Sequence, residues 1–306
     1  MNSMTLNSTR ASVGSALVLL VCFSVITRMY PLAETYLGYN IFHPDSDPES
    51  ISLCVISKDE LDVKEFVEYH SNIGIDKIFF LDNNSSSSSQ FNDVLEYIKS
   101  GVVEYKWFIP EDGLNVQMAG YDYCLRNFGY RTTWMAFIDV DEFITLNGSY
   151  TEIKSLLKNY RENVALTMNW MMFDSNDHKH RPVGGVLKNY HRCEASTMVK
   201  SIVKPKYVTG MYNAHRFIYR YGYHPVDVIL NQVDGHHNPD PKVLHGNYTT
   251  LFEDYRYLFR DLFIRHYNIK SLEDYRRKKY RGDIFFKGSS KYDSMSYARA
   301  KYKMVC

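Results

Sequence analysis

The five cysteines of this 306-residue chain include no CxxC pair and no short regular spacing. Neither a zinc site nor a dense disulfide scaffold is therefore built into it. Cys22 falls in an apolar N-terminal run, which leaves Cys54, Cys124, Cys193 and Cys306 for up to two bridges, with the partners open. An excess of charge of either sign is also missing: 36 Lys and Arg face 35 Asp and Glu, for a formal net charge of +1. That balance removes any global pull toward nucleic acid or acidic lipid, so no nucleic-acid partner is expected and a phosphate-bearing ligand must be held by local groups. What the chain has in quantity is apolar and aromatic surface. With 45% apolar residues it can bury a real core, and 26 Tyr, 17 Phe and 3 Trp supply rings suited to cores, interfaces and sugar-binding clefts alike.

Ala11–Thr27, ASVGSALVLLVCFSVIT, carries no charge and is bracketed by Arg10 and Arg28. At about 1.5 Å rise per residue it just crosses a thin bilayer core, as in early secretory membranes. No small-x-small cleavage site follows it, so the expectation is a retained signal anchor, one transmembrane helix, rather than a cleaved signal peptide. The expected organisation is a short cytoplasmic tail (1–10), the anchor (11–27), a stem with Pro31, Pro44 and Pro48 (28–50), and a folded domain (51–306). One arginine on each flank specifies orientation weakly. If the large domain is lumenal, as in a type II protein, the sequons at Asn83, Asn84, Asn147 and Asn247 become glycosylation acceptors, and the chain a glycoprotein.

From residue 51 short β-branched runs alternate with helical spacing. ISLCVIS (51–57), KIFFLD (77–82), VVEYKWF (102–108) and WMAFIDV (134–140) read as strands. Val63, Phe66, Val67, His70 and Ile73 mark one helix, Phe91, Val94, Leu95 and Ile98 a second, and 114–128 a third. The alternation predicts a mostly parallel sheet covered by helices on both faces. Ser149 with Glu152 forms a capping box that opens a further helix through about Tyr160. Beyond residue 163 the pattern turns β-rich, with VALTMNWMMF, VGGVLKNYHR, TMVKSIVKP and RFIYRYGYH, and helices are expected at 270–281 and about 289–303.

In open parallel sheets, ligands bind beyond the carboxyl ends of the strands. Lys58, Asp59 and Glu60 follow the first strand, Asp82, Asn83 and Asn84 the second, and Asp139 and Asp141 the fourth, so three polar clusters share one edge. Each alone is what a turn favours; their coincidence fits a nucleotide cleft. In FIDVDEF (137–143) Asp139, Asp141 and Glu142 crowd together, and such crowding needs either solvent or a cation between the carboxylates. Alternation along a strand would aim Asp139 and Asp141 the same way, with Val140 toward the core. Hard carboxylate oxygens suit Mn²⁺ or Mg²⁺, which could neutralise the diphosphate of a nucleotide-sugar as its bond to the sugar breaks.

The chain resembles glycosyltransferase family 92, a GT-A-type group of Golgi enzymes, in KDELDVKEFVEYHSNIGIDKIFFLDNNS (58–85), FIDVDEF (137–143), NWMMF (169–173), KSIVKP (200–205) and RHYNIKSLEDYRRKKYRG (265–282). The resemblance implies a GT-A-type, Rossmann-like α/β fold with a β-rich acceptor-side half. It also implies a Golgi membrane enzyme that transfers a hexose, galactose from UDP-galactose with inversion, to a glycan hydroxyl. By the same resemblance Asp139, Asp141 and His266 are metal ligands, and Lys58, Glu60, Asp82, Asp139 and Lys270 lie on the donor side. For Glu60 a first-turn helix residue, and for His266 a hydrogen-bonded structural histidine, stay open as readings. The chain departs from the family at Asp59, where Asn is usual, at Ser87, where an acid is usual, and at DSNDH (174–178), where glycines are usual. Asp174 and Asp177 in that last segment are conceivable general bases for an acceptor hydroxyl, and Trp170 either stacks on a sugar or belongs to the core. Two other readings compete. A haloacid-dehalogenase-type phosphatase would need its aspartate nucleophile on the first strand, and a carbohydrate-binding protein of the same fold would lack turnover.

Overall fold

The computed structural model describes residues 50–111, 113–239, 251–281, 301–302 and 304–306. The expected cytoplasmic tail and anchor, all of the stem but residue 50, the sequon at Asn247 and nearly all of the helix expected at 289–303 lie outside the described residues. Among the described residues no helix is long and apolar enough to cross a membrane.

The first half follows the sequence closely. Strands β1 (Ile51–Ser57), β2 (Lys77–Asp82), β3 (Val103–Trp107) and β4 (Trp134–Phe137) form a parallel block in the order β3-β2-β1-β4. Every residue of β1 is buried, as expected of a central parallel strand covered on both faces. Helix α1 (Val63–Asn72) buries Val63, Phe66, Val67 and His70, the apolar stripe read from the sequence. Helix α2 (Val116–Phe128) starts at Asn115, whose side chain accepts a hydrogen bond from the Met118 N–H at 3.0 Å. It lies so close to β1 that a Cβ on Gly120 would meet Ile56 Cδ1 at 2.9 Å. Cys54 on β1 and Cys124 on α2 are disulfide-bonded across this contact.

The second half extends the sheet with antiparallel pairings. Strands β5 (Glu142–Leu146), β6 (Ala165–Phe173), β7 (Arg192–Val203) and β10 (Leu262–His266) continue the order as β4-β7-β6-β10-β5, while β8 (Val208–Met211) and β9 (Phe217–Tyr219) form a separate hairpin. Strand β11 (Met304–Val305) pairs with β7, beside a second disulfide between Cys193 and Cys306. Helix α3 (Leu272–Arg281) follows β10. The α/β arrangement expected of a GT-A-type chain, mostly parallel first and β-rich afterwards, is the one observed.

Local differences have local causes. The helix expected around Phe91–Ile98 is two short pieces, Ser89–Asp93 and Leu95–Lys99, because Val94 between them leaves helical geometry at φ −112°, ψ 9°. The capping box at Ser149 and Glu152 does not form: Glu152 is the residue before a short helix, Ile153–Leu157, and makes no side-chain cap. VGGVLKNYHR yields a helical turn at Val186–Asn189, since Gly184 and Gly185 take φ of +102° and +84°, and the N–H groups of Val186 and Leu187 then donate to the Glu65 carboxylate. Buried His70 joins the halves. The Ile144 N–H donates to its Nε2 (3.1 Å), so Nδ1 carries the proton toward the Phe66 carbonyl (2.8 Å), and burial lowers its pKa to about 3.

Candidate functional site

The pairings bring the carboxyl ends of β1, β2, β4, β6 and β10 and the amino ends of β5 and β7 to one edge of the sheet. That edge receives Lys58, Glu60, Asp82, Asp139, Asp141, Asp174 and His266, which gathers the polar clusters spotted in the sequence.

Strand β4 ends at Phe137, so the two aspartates sit in the turn before β5 and not on a pleated strand. Val140 faces the core as expected, yet the carboxylates turn to different cations. Asp139 accepts from Gln117 Nε2 (2.5 Å) and from Lys200 Nζ (3.2 Å), a lysine delivered by β7. Asp141 accepts from Lys278 Nζ of α3 (2.5 Å), and its Oδ1 lies 3.6 Å from His266 Nε2. Beside them Glu142 is fully buried, with Oε2 accepting from the Asp139 N–H (3.0 Å) and lying 3.7 Å from Lys200 Nζ. Its Oε1 and His266 Nδ1, 3.9 Å apart, have no hydrogen-bond partner. Trp170 packs against the His266 ring at 4.3 Å between centroids and against the His215 ring at 5.0 Å. It is thus half-buried beside the site, combining the core and cleft readings.

The charges sort themselves by neighbour. Burial would raise the Asp141 carboxyl, but Lys278, His266 and Lys270 hold it well below the usual carboxylate range. Burial likewise opposes the charge of Lys200, yet Asp139 and Glu142 carry its pKa well above the lysine range. Glu60 stays ionised because Lys278, Lys270 and Arg281 outweigh its burial.

The other expected residues are placed with varying access. Lys58 and Glu60 line a cavity at the end of β1. Asp82 is sealed beneath that cavity, bonded to the Tyr105 hydroxyl, the Ser85 N–H and Gln90 Nε2, so Gln90 stands between it and the opening. Lys270 is buried and bonded to Asp62, with Glu60 at 3.9 Å. Asp174 is buried and tied to Arg192 Nε (3.0 Å) and the Tyr302 N–H (2.7 Å), which fixes the chain beside Cys306; Asp177 is exposed and also meets Arg192 (2.7 Å). Sequence reasoning missed Gln90, Gln117, Lys200 and Lys278 as site residues and took Glu142 only as one of three crowded carboxylates. Gln117 lay in the helix read at 114–128, and Glu142, Lys200 and Lys278 in segments of the family resemblance, but only the sheet pairing and the docking of α3 show where these three go.

Among the described residues no group of three or more His, Cys, Asp or Glu side chains is arranged to hold a metal ion. Asp141 and His266 are close enough to share one ion; the third expected ligand, Asp139, is engaged by Lys200 and Gln117.

The chain is similar in part to several known proteins. It is 30% identical over 191 residues to a glycosyltransferase family 92 protein of Ricinus communis, covering 59% of this chain and 33% of that protein. A family 92 protein of Oryza sativa subsp. japonica is 28% identical over 162 residues, covering 51% of this chain and 27% of that protein. The chain thus spans about a third or less of the length of these curated relatives. Among solved structures it is similar to GalNAc-T7 with UDP, GalNAc and Mn²⁺ (TM-score 0.39, 12% identity, 68% of this chain and 48% of that one). It is also similar to the mannosyltransferase PcManGT of Pyrobaculum calidifontis with GDP-Man and Mn²⁺ (TM-score 0.30, 10% identity, 48% and 46%). The sequence model of glycosyltransferase family 92 matches residues 51–279, nearly the whole of the described fold, and the chain belongs to that family.

Proposed function

We propose that the protein is a nucleotide-sugar-dependent hexosyltransferase that moves galactose from UDP-galactose, with inversion, to a glycan hydroxyl. The observation that supports this most is the placement of ionised Asp141 beside the His266 ring on one sheet edge, adjoining a cation-lined cavity through Glu60. The donor set at Asp141 and His266, one hard oxygen and one imidazole nitrogen beside two buried atoms lacking partners, fits Mn²⁺ or Mg²⁺, with Asp139 as the third expected ligand. Bound there, the dication would supply positive charge against the departing diphosphate.

The chain's own residues do the rest. Glu60, kept ionised, and Asp82, acting through Gln90, would hold the nucleoside, while Lys58 faces its phosphates. Lys270 supports this side from beneath, through Asp62 and Glu60. Trp170, beside His266, offers an acceptor sugar a ring face. For the base, Asp177 is preferred to Asp174, because Asp174 is buried with all its contacts turned inward and Asp177 is open to solvent. A single-pass, type II, lumenal Golgi location is supported by two disulfides, which persist in oxidising compartments. Exposed Asn147 lies past the far end of β5, so a glycan there would leave the site edge clear.

A donor screen tests the reading. Purified protein is given UDP-galactose, UDP-glucose or GDP-mannose, with Mn²⁺ or EDTA, and released UDP or GDP is measured alongside transfer to glycans by mass spectrometry. UDP release and hexose transfer from UDP-galactose, lost in EDTA and in Asp141→Asn, are expected. Since each aspartate already meets a lysine, a carbohydrate-binding protein without turnover is the second reading, and binding without release of UDP under every condition would favour it.

A further inference from the structure

Strand β7 begins at the site edge, and its third residue is Glu194. Register partners in a sheet share a face, and the pairings run from Glu194 to Met172, from Met172 to His266 and from His266 to Glu142. Glu194 therefore stands on the same face as His266, two strand spacings or roughly 10 Å away. Trp170, two residues before Met172, lies on that face as well, diagonal to Glu194 and about 7–8 Å from it. The residues flanking Glu194, Cys193 and Ala195, point to the opposite face, where they are buried.

Glu194 is half-buried, yet among the described residues no hydrogen bond or ion pair engages its carboxylate, and neither oxygen is sealed from solvent. Glu142 and Glu60 differ, since each has a sealed oxygen. Burial alone raises the Glu194 pKa, which strengthens it as a base. No neighbour offsets this. Arg192, two residues before it, is engaged by Asp174 and Asp177, and Met172 carries no charge. Tyr302, on the segment before β11, has its hydroxyl pKa pushed up to about 12, first by burial and then by Glu194 and Asp174, so it stays neutral. The two carboxylates expected from the sequence are poorer bases. Asp174 is buried with its contacts turned inward, and the hydrogen bond from Arg192 lowers the pKa of Asp177.

We propose that Glu194 is the general base that takes the proton from the acceptor hydroxyl. The acceptor sugar rests on Trp170 and turns its reacting hydroxyl toward the Glu194 carboxylate. The hydroxyl oxygen bonds to the anomeric carbon as the bond from that carbon to the diphosphate oxygen breaks; the electron pair leaves with UDP and the proton passes to Glu194. The proposal rests on the transferase reading above and adds to it the residue that receives the proton. It is tested on the full chain with UDP-galactose, Mn²⁺ and glycans released from glycoproteins, reading transfer by mass spectrometry, UDP release, and UDP affinity by calorimetry. Glu194→Gln is expected to lower kcat for transfer about 10²–10⁴-fold and to remove the acid limb of kcat against pH. KM for UDP-galactose and UDP affinity are expected to stay within about threefold of wild type. Glu194→Asp, which draws the carboxylate back by one methylene, should recover part of kcat, and it is the second variant should Glu194→Gln fail to fold. Transfer by Glu194→Gln within about threefold of wild type, a persisting acid limb, or a matching loss of UDP affinity overturns the base and leaves the transferase reading intact. A loss of transfer confined to Asp177→Asn assigns the proton there and likewise overturns it. Wild-type protein that neither transfers nor releases UDP overturns both.

Discussion

Asp141 and Glu142 are neighbours in the chain, and their carboxyl pKa values are driven in opposite directions. Asp141 turns toward α3 and keeps its charge because Lys278 and His266 outweigh burial. Glu142 turns toward β7; burial lifts its carboxyl well above the usual range, Asp139 and Asp141 push with burial, and Lys200 pulls against it. Two carboxylates pushed apart in this way mark different duties: the one with the lowered pKa is available to a cation or substrate, and the one with the raised pKa packs. The difference lies in which distant lysine each side chain faces, not in their positions along FIDVDEF.

The largest effect that would sharpen this contrast is expected from Lys200. Lys200→Met leaves the Asp139 charge without its buried partner and should lower unfolding free energy by about 3–5 kcal/mol in guanidinium titrations. Lys278→Met should lower it less, because the His266 ring still lies 3.6 Å from the Asp141 carboxylate; equal losses would break the comparison. Asp141→Asn should reduce kcat for UDP-galactose turnover about 10²–10³-fold, read as UDP release, and near-normal turnover would remove Asp141 from the reaction.

A third carboxylate extends the test to acid. Burial would raise Asp62, but Lys270 and Arg181 together bring it from 3.8 down to about 2. A lowered pKa stabilises the fold above the unfolded value, so about 2 kcal/mol should be present above pH 4 and lost as pH falls toward 2. Asp62→Asn should flatten stability against pH in that window; an unchanged slope would assign the acid sensitivity to other groups. The smallest effect belongs to Glu142→Gln. A carboxyl whose pKa is raised by burial should tolerate its neutral isostere within about 0.5 kcal/mol, and a severe loss of stability would show that its charge is used by Lys200.

The parallel half was legible because its signals are local. The stripe from Val63 to His70 and the runs at 51–57 and 77–82 become α1, β1 and β2, and strand ends at polar clusters place the site edge. The DxD pair was legible as to edge but not as to orientation, since the strand stops at Phe137 and a turn follows. The lysine partners were not legible as partners. Lys200 stands 61 residues after Asp139 and Lys278 137 residues after Asp141, and antiparallel pairing and helix docking leave no periodic trace at such separations. Asp174 read as a conceivable general base because its partner Arg192 returns on the next strand, out of local view, and Lys270 read as a donor contact because nothing local shows that Asp62 buries it.

That long separation also gives the edge a timetable during synthesis. A ribosome that has just made Asp141 needs on the order of ten seconds to reach Lys278, and the exit tunnel delays its arrival further. Until then Lys200 can answer Asp139, but Asp141 waits for the lysine that α3 brings.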